Sequence, residues 1–236
     1  MAELVTEIPK IALAVYAHPD DADVACGGTL ARWARGGSEV HLVVCTDGGR
    51  GTRDKTIDMK RLADQRAEEL AAAGKLIGLA SHHNLGVADG ELTEGRTLTG
   101  ELVGWVRELR PDALFGHDPT AVFFGEHYFN HRDHRVAGWA LLDAVFPAAT
   151  LPHYFPEKGE VHAASVAYLS GTLEPDVWVD VSDTIEVKAA AVQCHKSQFT
   201  DEPDWAADAV RLRAEEEGRR AGVAYAEGFR RLFLET

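Results

Sequence analysis

Ile11-Ala12-Leu13-Ala14-Val15-Tyr16 runs directly into Ala17-His18-Pro19-Asp20-Asp21. A short apolar run that stops at a polar cluster predicts a buried strand ending in a loop. In open α/β sheets, ligands collect beyond the carboxyl ends of the strands. This strand is therefore expected to deliver one imidazole and two carboxylates to the rim where chemistry occurs. Pro19 holds His18 in an extended backbone and removes one donor from the turn. Adjacent carboxylates in an extended loop face different ways, so one can bind a metal while the other stays free as a base. Pro-Asp-Asp is also ordinary turn composition, and the stretch alone leaves both readings open.

The following residues continue the alternation. Val24 to Arg35 reads as a helix, and Gly27 and Gly28 near its start allow close backbone approach to a ligand or to the sheet. Glu39 to Cys45 is the second strand, followed by Thr46-Asp47-Gly48-Gly49. Asp47 is thus either a further polar group on the rim or a turn residue before glycine. Residues 50–57 read as a loop bordering a pocket. Met59 to Leu79 reads as a helix on which Arg66, Glu68 and Glu69 form a solvated face. A short strand near His82 to Leu85, a helix from Leu98 to Leu109 and a strand from Asp112 to Gly116 follow, the last ending in His117-Asp118-Pro119. Strand and helix in alternation call for a parallel sheet with helices on both faces. The right-handed crossover rule narrows this to an α/β, Rossmann-like doubly wound, mainly parallel sheet. The first turn holds His-Pro-Asp-Asp where a dinucleotide site needs glycines, which argues against a dehydrogenase or methyltransferase.

His131-Arg132-Asp133-His134 opens a helix that runs through Val136, Trp139, Leu142 and Val145. At i and i+3 the two histidines share one face, beside the partial positive charge of a helix N-terminus. Isolated H-x-x-H pairs also occur on plain surfaces; this one follows the fourth strand, on the rim that carries His18 and Asp21. Beyond Pro156, Ala164 to Leu169 and Val177 to Val181 read as strands at the far edge. Asp183 with Glu186 resembles a capped helix start, leading to Cys194-His195-Lys196-Ser197-Gln198. Trp205 to Leu234 reads as one long amphipathic helix, packed on the domain or on another subunit of a homo-oligomer. The whole, residues 1–236, is expected to be a single domain.

A formal charge of −14 argues against nucleic acid or an anionic membrane as partner. No apolar run approaches the ~20 residues of a membrane span, and the first residues lack the pattern of a signal peptide. Cys26, Cys45 and Cys194 show no C-x-x-C spacing and suggest reduced thiols in a cytoplasmic protein.

His18, Asp21 and His134 together offer two imidazoles and a carboxylate. Three protein ligands with an open fourth position is the pattern of a catalytic zinc site, one Zn2+ per chain. Asp20, beside a ligand but off the metal, would take a proton from water as general base. His131 would protonate a leaving nitrogen or stabilise an oxyanion, and Asp133 would orient a ring. The chemistry is metal-assisted hydrolysis of a small-molecule amide.

These two motifs resemble the PIG-L/LmbE-like zinc de-N-acetylases, and the similarity extends to Thr46-Asp47-Gly48, Arg66 with Glu69, Asp89-Gly90 and His195-x-Ser197-Gln198. The resemblance implies removal of an N-acetyl group from an N-acetylglucosamine-type sugar or conjugate. It implies His18, Asp21 and His134 as zinc ligands, Asp20 as base and His131 as transition-state stabiliser. It also implies Arg66, Asp47 and His195 on the substrate side, which for Arg66 replaces the solvated-face reading. The chain departs from the family at Ala22, where glutamate is usual, and at Phe129, where some members carry a tyrosine; Tyr128 stands next to it. An amidase for a larger amide conjugate, or a silent sugar- or metal-binding homologue, would use the same residues.

Overall fold

The computed structural model describes residues 2–199 and 204–234. In chain order the strands and helices are β1 (Glu3–Leu4), β2 (Ile11–Tyr16), α1 (Asp21–Arg35), β3 (Glu39–Thr46), α2 (Met59–Ile77), β4 (Ser81–Val87), α3 (Arg96–Leu109) and β5 (Ala113–His117). A hairpin of β6 (Phe123–Phe124) and β7 (Tyr128–Phe129) precedes α4 (Arg132–Asp143). The chain then forms β8 (Val166–Ser170), β9 (Val177–Asp180), α5 (Ile185–Val192), α6 (Trp205–Ala221) and β10 (Ala226–Phe233).

One sheet of eight strands runs β1-β9-β10-β8-β5-β2-β3-β4. β2 pairs in parallel with β3 and β5, β3 with β4, and β5 with β8. The chain winds outward from β2 through β3 to β4, then returns to the other side of β2 as β5. That reversal makes the carboxyl ends of β2 and β5 the switch point at which such sheets bind ligands. Alternation along the strands sorts side chains onto two faces. Ala12, Ala14 and Tyr16 of β2 join Trp33, Leu42, Leu70 and Phe115 in one core, while Leu13 and Val15 join Leu102, Val106, Leu114 and Leu141 in the other. Each fully buried Leu or Phe contributes about 1.5–3 kcal/mol, enough to fix the register that sets where each strand ends.

The expected α/β, doubly wound architecture is present, and the far end of the chain differs from its reading. Trp205 to Leu234 is not one helix. Gly222, at φ +76°, closes α6 with its amide bonded to the Gly218 carbonyl, a left-handed cap that favours glycine. The residues after it become β10, antiparallel to both β8 and β9. β8 is consequently an interior strand rather than an edge strand. Arginines at 230 and 231 disguise β10 because they fall among half-exposed positions of a strand that is buried mainly at Ala226, Glu227 and Phe229. The anticipated Asp183–Glu186 capping box does not form. Thr184 precedes α5, and its hydroxyl donates to the Gly28 carbonyl at 2.8 Å. Gly28 itself faces Val181 and Glu227, so its close approach is to the sheet side of the C-terminal segment.

Gly138 shows how tightly α4 is seated on the end of β5. A Cβ there would lie 2.6 Å from the His117 carbonyl oxygen and 3.0 Å from Pro119. Helix propensity favours Ala over Gly by about 1 kcal/mol, but overpacking against immobile backbone costs about 1–3 kcal/mol. Gly138→Ala is expected to lower stability by about 1–2 kcal/mol in denaturant unfolding, the clash outweighing the propensity gain. A stabilised variant would mean that α4 can withdraw from β5.

Candidate active site

The loop after β2 and the first turns of α1 and α4 meet above the switch point. Asp21 begins α1, and its Oδ2 accepts the His18 amide at 2.7 Å, which ties the loop to the helix start. His131 precedes α4 and caps it: its Nδ1 accepts from the Asp133 amide at 3.2 Å. His134 lies in the first turn that follows. These anchors bring His18 Nδ1 and His134 Nε2 to 3.2 Å from each other. Asp21 Oδ1 lies 3.2 Å from His134 Nε2, and Asp21 Oδ2 lies 3.3 Å from His18 Nδ1. Donors bonded to one tetrahedral zinc at 2.0–2.1 Å stand about 3.3 Å apart. The three side chains therefore fit a zinc ion by identity and by spacing.

The far side of each imidazole is also held. His18 Nε2 meets Asp89 Oδ1 at 3.1 Å, with Asp133 Oδ2 at 3.7 Å. His134 Nδ1 meets Asn130 Oδ1 at 3.0 Å. Such partners fix the ring orientation and the tautomer of a ligating histidine. Burial works against a charged His18 ring, yet Asp21, Asp133 and Asp89 together push its pKa up to about 12. The pocket thus favours a positive charge at this point. His117, at the end of β5, stacks on His134 with ring centroids 4.1 Å apart and contacts Asp21 Oδ2 at 3.2 Å. Burial pushes His117 down to about 4, so its ring is neutral at pH 7.

Asp20 stands beside this triangle. Its Oδ1 accepts from Arg66 Nη2 at 2.6 Å, and among the described residues its Oδ2 has no partner. Arg66 is buried and also donates from Nη1 to the Gly48 carbonyl. Two cavities, of about 530 and 440 Å³, flank the centre and share Asp20, Asp21, Tyr128 and His134.

Residues 13–145 match the family model described as PIG-L: GlcNAc-PI de-N-acetylase. The chain belongs to the PIG-L family. A diacetylchitobiose deacetylase of Thermococcus kodakarensis is 33% identical over 229 residues, covering 94% of this chain and 82% of that protein. A 1D-myo-inositol 2-acetamido-2-deoxy-alpha-D-glucopyranoside deacetylase of a Mycobacterium species is 27% identical, covering 85% and 78%. The solved N,N'-diacetylchitobiose deacetylase of Pyrococcus horikoshii, complexed with its inhibitor MPG, superposes with a TM-score of 0.87. It is 30% identical and covers 95% of this chain and 84% of that one.

In this PIG-L chain the structure gathers His18, Asp20, Asp21, His131 and His134 around one centre, and Arg66 joins them through Asp20. Asp133 is fully buried; its Oδ2 accepts the Gly90 amide at 2.7 Å, and it lines neither cavity. Asp47 spends Oδ1 on the amides of Gly49 and Asp89, which shapes the loops rather than pointing a free group at a ligand. His195 is fully buried and pairs with Asp23 at 2.6 Å, where burial raises the Asp23 pKa and Asp23 in turn raises that of His195. Neither His195 nor Asp47 lines either cavity. The sequence reading assigns no site role to His117 or Asn130, and carries Asp89 only as part of the resemblance and Tyr128 only as the neighbour of Phe129. His117 carried a legible signal, since it ends a strand as His18 follows one. Asn130 and Asp89 act through folded neighbours distant in the chain.

The hold of Asn130 on His134 is testable. Asn130→Ala is expected to weaken zinc binding about 10–100-fold in a competition titration with a chelator. Asn130→Asp keeps the acceptor and should retain most of the affinity, although both variants lose the bond from Nδ2 to the Ala121 carbonyl. Equal losses in the two would trace the effect to the Ala121 bond.

Proposed function

We infer that this protein hydrolyses the N-acetyl amide of an N-acetylglucosamine-type sugar, releasing acetate and a free amine. The observation that carries this reading is the donor triangle of His18, Asp21 and His134, with an uncommitted carboxylate oxygen of Asp20 at its side. The relatives named for diacetylchitobiose and for the inositol conjugate support the sugar class. Those three side chains would hold a zinc ion, which would supply Lewis-acid polarisation of the amide carbonyl and a lowering of the pKa of water to about 7.

Asp20 Oδ2 accepts the proton of the attacking water, while Arg66 holds Oδ1 and so aims the carboxylate. His131 accepts a hydrogen bond at Nδ1, so the neutral ring carries its proton on Nε2. Burial holds its pKa below the ordinary histidine value, which keeps the ring a neutral donor. From Nε2 it stabilises the oxyanion as the carbonyl is attacked. Asp20 returns the proton it accepted to the nitrogen as the C–N bond breaks, so that acetate and the free amine leave and the carboxylate is restored. Asp133 positions His18 and the Gly90 loop without touching substrate.

Among the described residues no helix is long and apolar enough to cross a membrane. The three free cysteines support a reducing, cytoplasmic setting.

Zinc-loaded protein is expected to release free amine from N-acetylglucosamine, diacetylchitobiose or an inositol conjugate, measured with an amine-reactive fluorophore. Asp20→Asn keeps the hydrogen bond to Arg66 and should retain zinc while losing about 10²–10⁴-fold in kcat. Substantial turnover in that variant would remove Asp20 from the role of base. His134→Ala should lose the metal itself, and full zinc occupancy by atomic absorption would show the ligand set to be wrong.

A further inference from the structure

The two cavities differ in chemistry. The 440 Å³ arm presents hydrogen-bonding groups, with Arg50, Arg66, Asp89 and Gln198 in its walls. The 530 Å³ arm starts at the centre, with Asp20, Asp21, His117, Asn130 and His134, and away from it is walled by Val24, Ala25, Phe124, Tyr128 and Phe199 beside Ser170; Arg213 of α6 is the one arginine or lysine among its lining residues. The hairpin explains part of this wall. Phe124 pairs with Tyr128 across β6 and β7, and both turn to the cavity, while Phe123 and Phe129 lie on the other face, largely exposed.

Arg213 differs from its neighbours on α6. Arg211 is paired with Glu186 and Asp208, Arg219 with Glu215, and Arg220 with Glu217. Among the described residues Arg213 has no ion-pair partner. Carboxylates are near, since a small adjoining cavity brings Arg213 together with Glu217 and Glu227. Both are already committed: Glu217 to Arg220 and to the Trp178 indole N–H at 2.7 Å, and Glu227 to Lys188 and the Gly28 and Thr29 amides. In a chain of formal charge −14, this exposed arginine, unpaired among the described residues, borders the cavity that opens on Asp20, Asp21 and His134.

We propose that Arg213 selects a substrate whose aglycone is apolar and ends in an anionic group, a carboxylate or a phosphate. This rests on the deacetylase reading and refines it. The polar arm suits the hydroxyls of the amino-sugar ring, with the amide at the junction of the two arms. The glycosidic carbon is the immediate neighbour of the carbon that bears the amide. A ring so seated presents its aglycone to the apolar arm, where Phe124, Tyr128 and Phe199 cover it and Arg213 receives its charge. A planar guanidinium donates two parallel N–H bonds to a carboxylate or phosphate.

The test compares two N-acetylglucosaminides of equal size, the 4-carboxyphenyl and the neutral 4-carbamoylphenyl glycosides, on zinc-loaded protein. Wild type is expected to favour the carboxylate about tenfold in kcat/KM, through KM, as a charge-assisted contact requires. In Arg213→Gln the ratio should fall to about one, and in Arg213→Lys, which keeps charge without the fork, to an intermediate value. A 4-phosphonophenyl glycoside ranks phosphate against carboxylate. A ratio of one in wild type, or a ratio unchanged in Arg213→Gln, overturns the proposal. So does Arg213-dependent turnover of N-succinylglucosamine without any effect of aglycone charge, which would place the acyl group in this arm. If neither glycoside is deacetylated, it is the deacetylase reading that fails. Calorimetric binding of the same pair then decides on Arg213: tighter carboxylate binding that disappears in Arg213→Gln upholds it, and equal binding overturns it.

Discussion

Negative charge gathered around one buried imidazole is the constraint on which the site depends. Donor atoms of His18, Asp89 and Asp133 lie within 4.8 Å of one another, and Asp21 approaches the same ring from the other side. Two carboxylate charges at that separation repel by about 3 kcal/mol at an effective dielectric of about 20. Backbone amides relieve part of this, at Gly90 for Asp133 and at His18 for Asp21. The remainder calls for a cation at the centre. Every element that supplies a donor must therefore end at one place, and the switch point between β2 and β5 is the only point in such a sheet where adjacent strands deliver their loops without an intervening crossover.

That logic explains what could be read from the chain. His18 and Asp21 follow an apolar strand whose core role is unambiguous, and His131 and His134 open a helix just after the next strand to the site. Strand ends are local, and so are helix starts. The groups that orient the proposed ligands are not. Asp89 lies 71 residues from His18, and its acceptor role exists only once the loop after β4 folds over the β2 loop. Asn130 looks like a turn residue until its amide bridges the Ala121 carbonyl and His134. His195 shows the reverse error: a histidine near a recognisable motif is buried as the partner of Asp23 instead of reaching a cavity. The family resemblance put it on the substrate side, whereas the fold buries it and it lines neither cavity.

The C-terminal segment was the least legible because its strand is justified by a contact remote in sequence. α1 breaks at Cys26, where φ is −140°, and this exposes the amides of Gly28 and Thr29 as a second helix start. Glu227 of β10 accepts both amides and the Thr29 hydroxyl, and pairs with Lys188 of α5 in full burial. An anion is favoured at a helix N-terminus, and loss of one partner from a buried pair costs about 3–5 kcal/mol. This single carboxylate fastens β10, α5 and α1 together behind the site. It also fixes α6, which connects α5 to β10, and so determines that Arg213 borders the reaction cavity.

Arg66 belongs to the same kind of argument. Its guanidinium lies against Gly48 and Gly51, where a Cβ would come within 2.5 and 2.7 Å of Nη1. Gly48 and Gly51 thus leave the space through which a helix residue reaches Asp20. A surface ion pair contributes about 0–1 kcal/mol, but Arg66 and Asp20 are largely withdrawn from water, with side chains only 3% and 18% exposed. In that setting the pair is worth more as a constraint on direction than as stability. It commits one oxygen of Asp20 and leaves the other without a partner among the described residues. A lysine has no fork with which to bridge the Gly48 carbonyl and Asp20 at once. Arg66 also lines the 440 Å³ cavity, so a ligand held there meets the same guanidinium that orients Asp20. In the proposed reaction, substrate recognition and the aim of the base would therefore converge on one side chain.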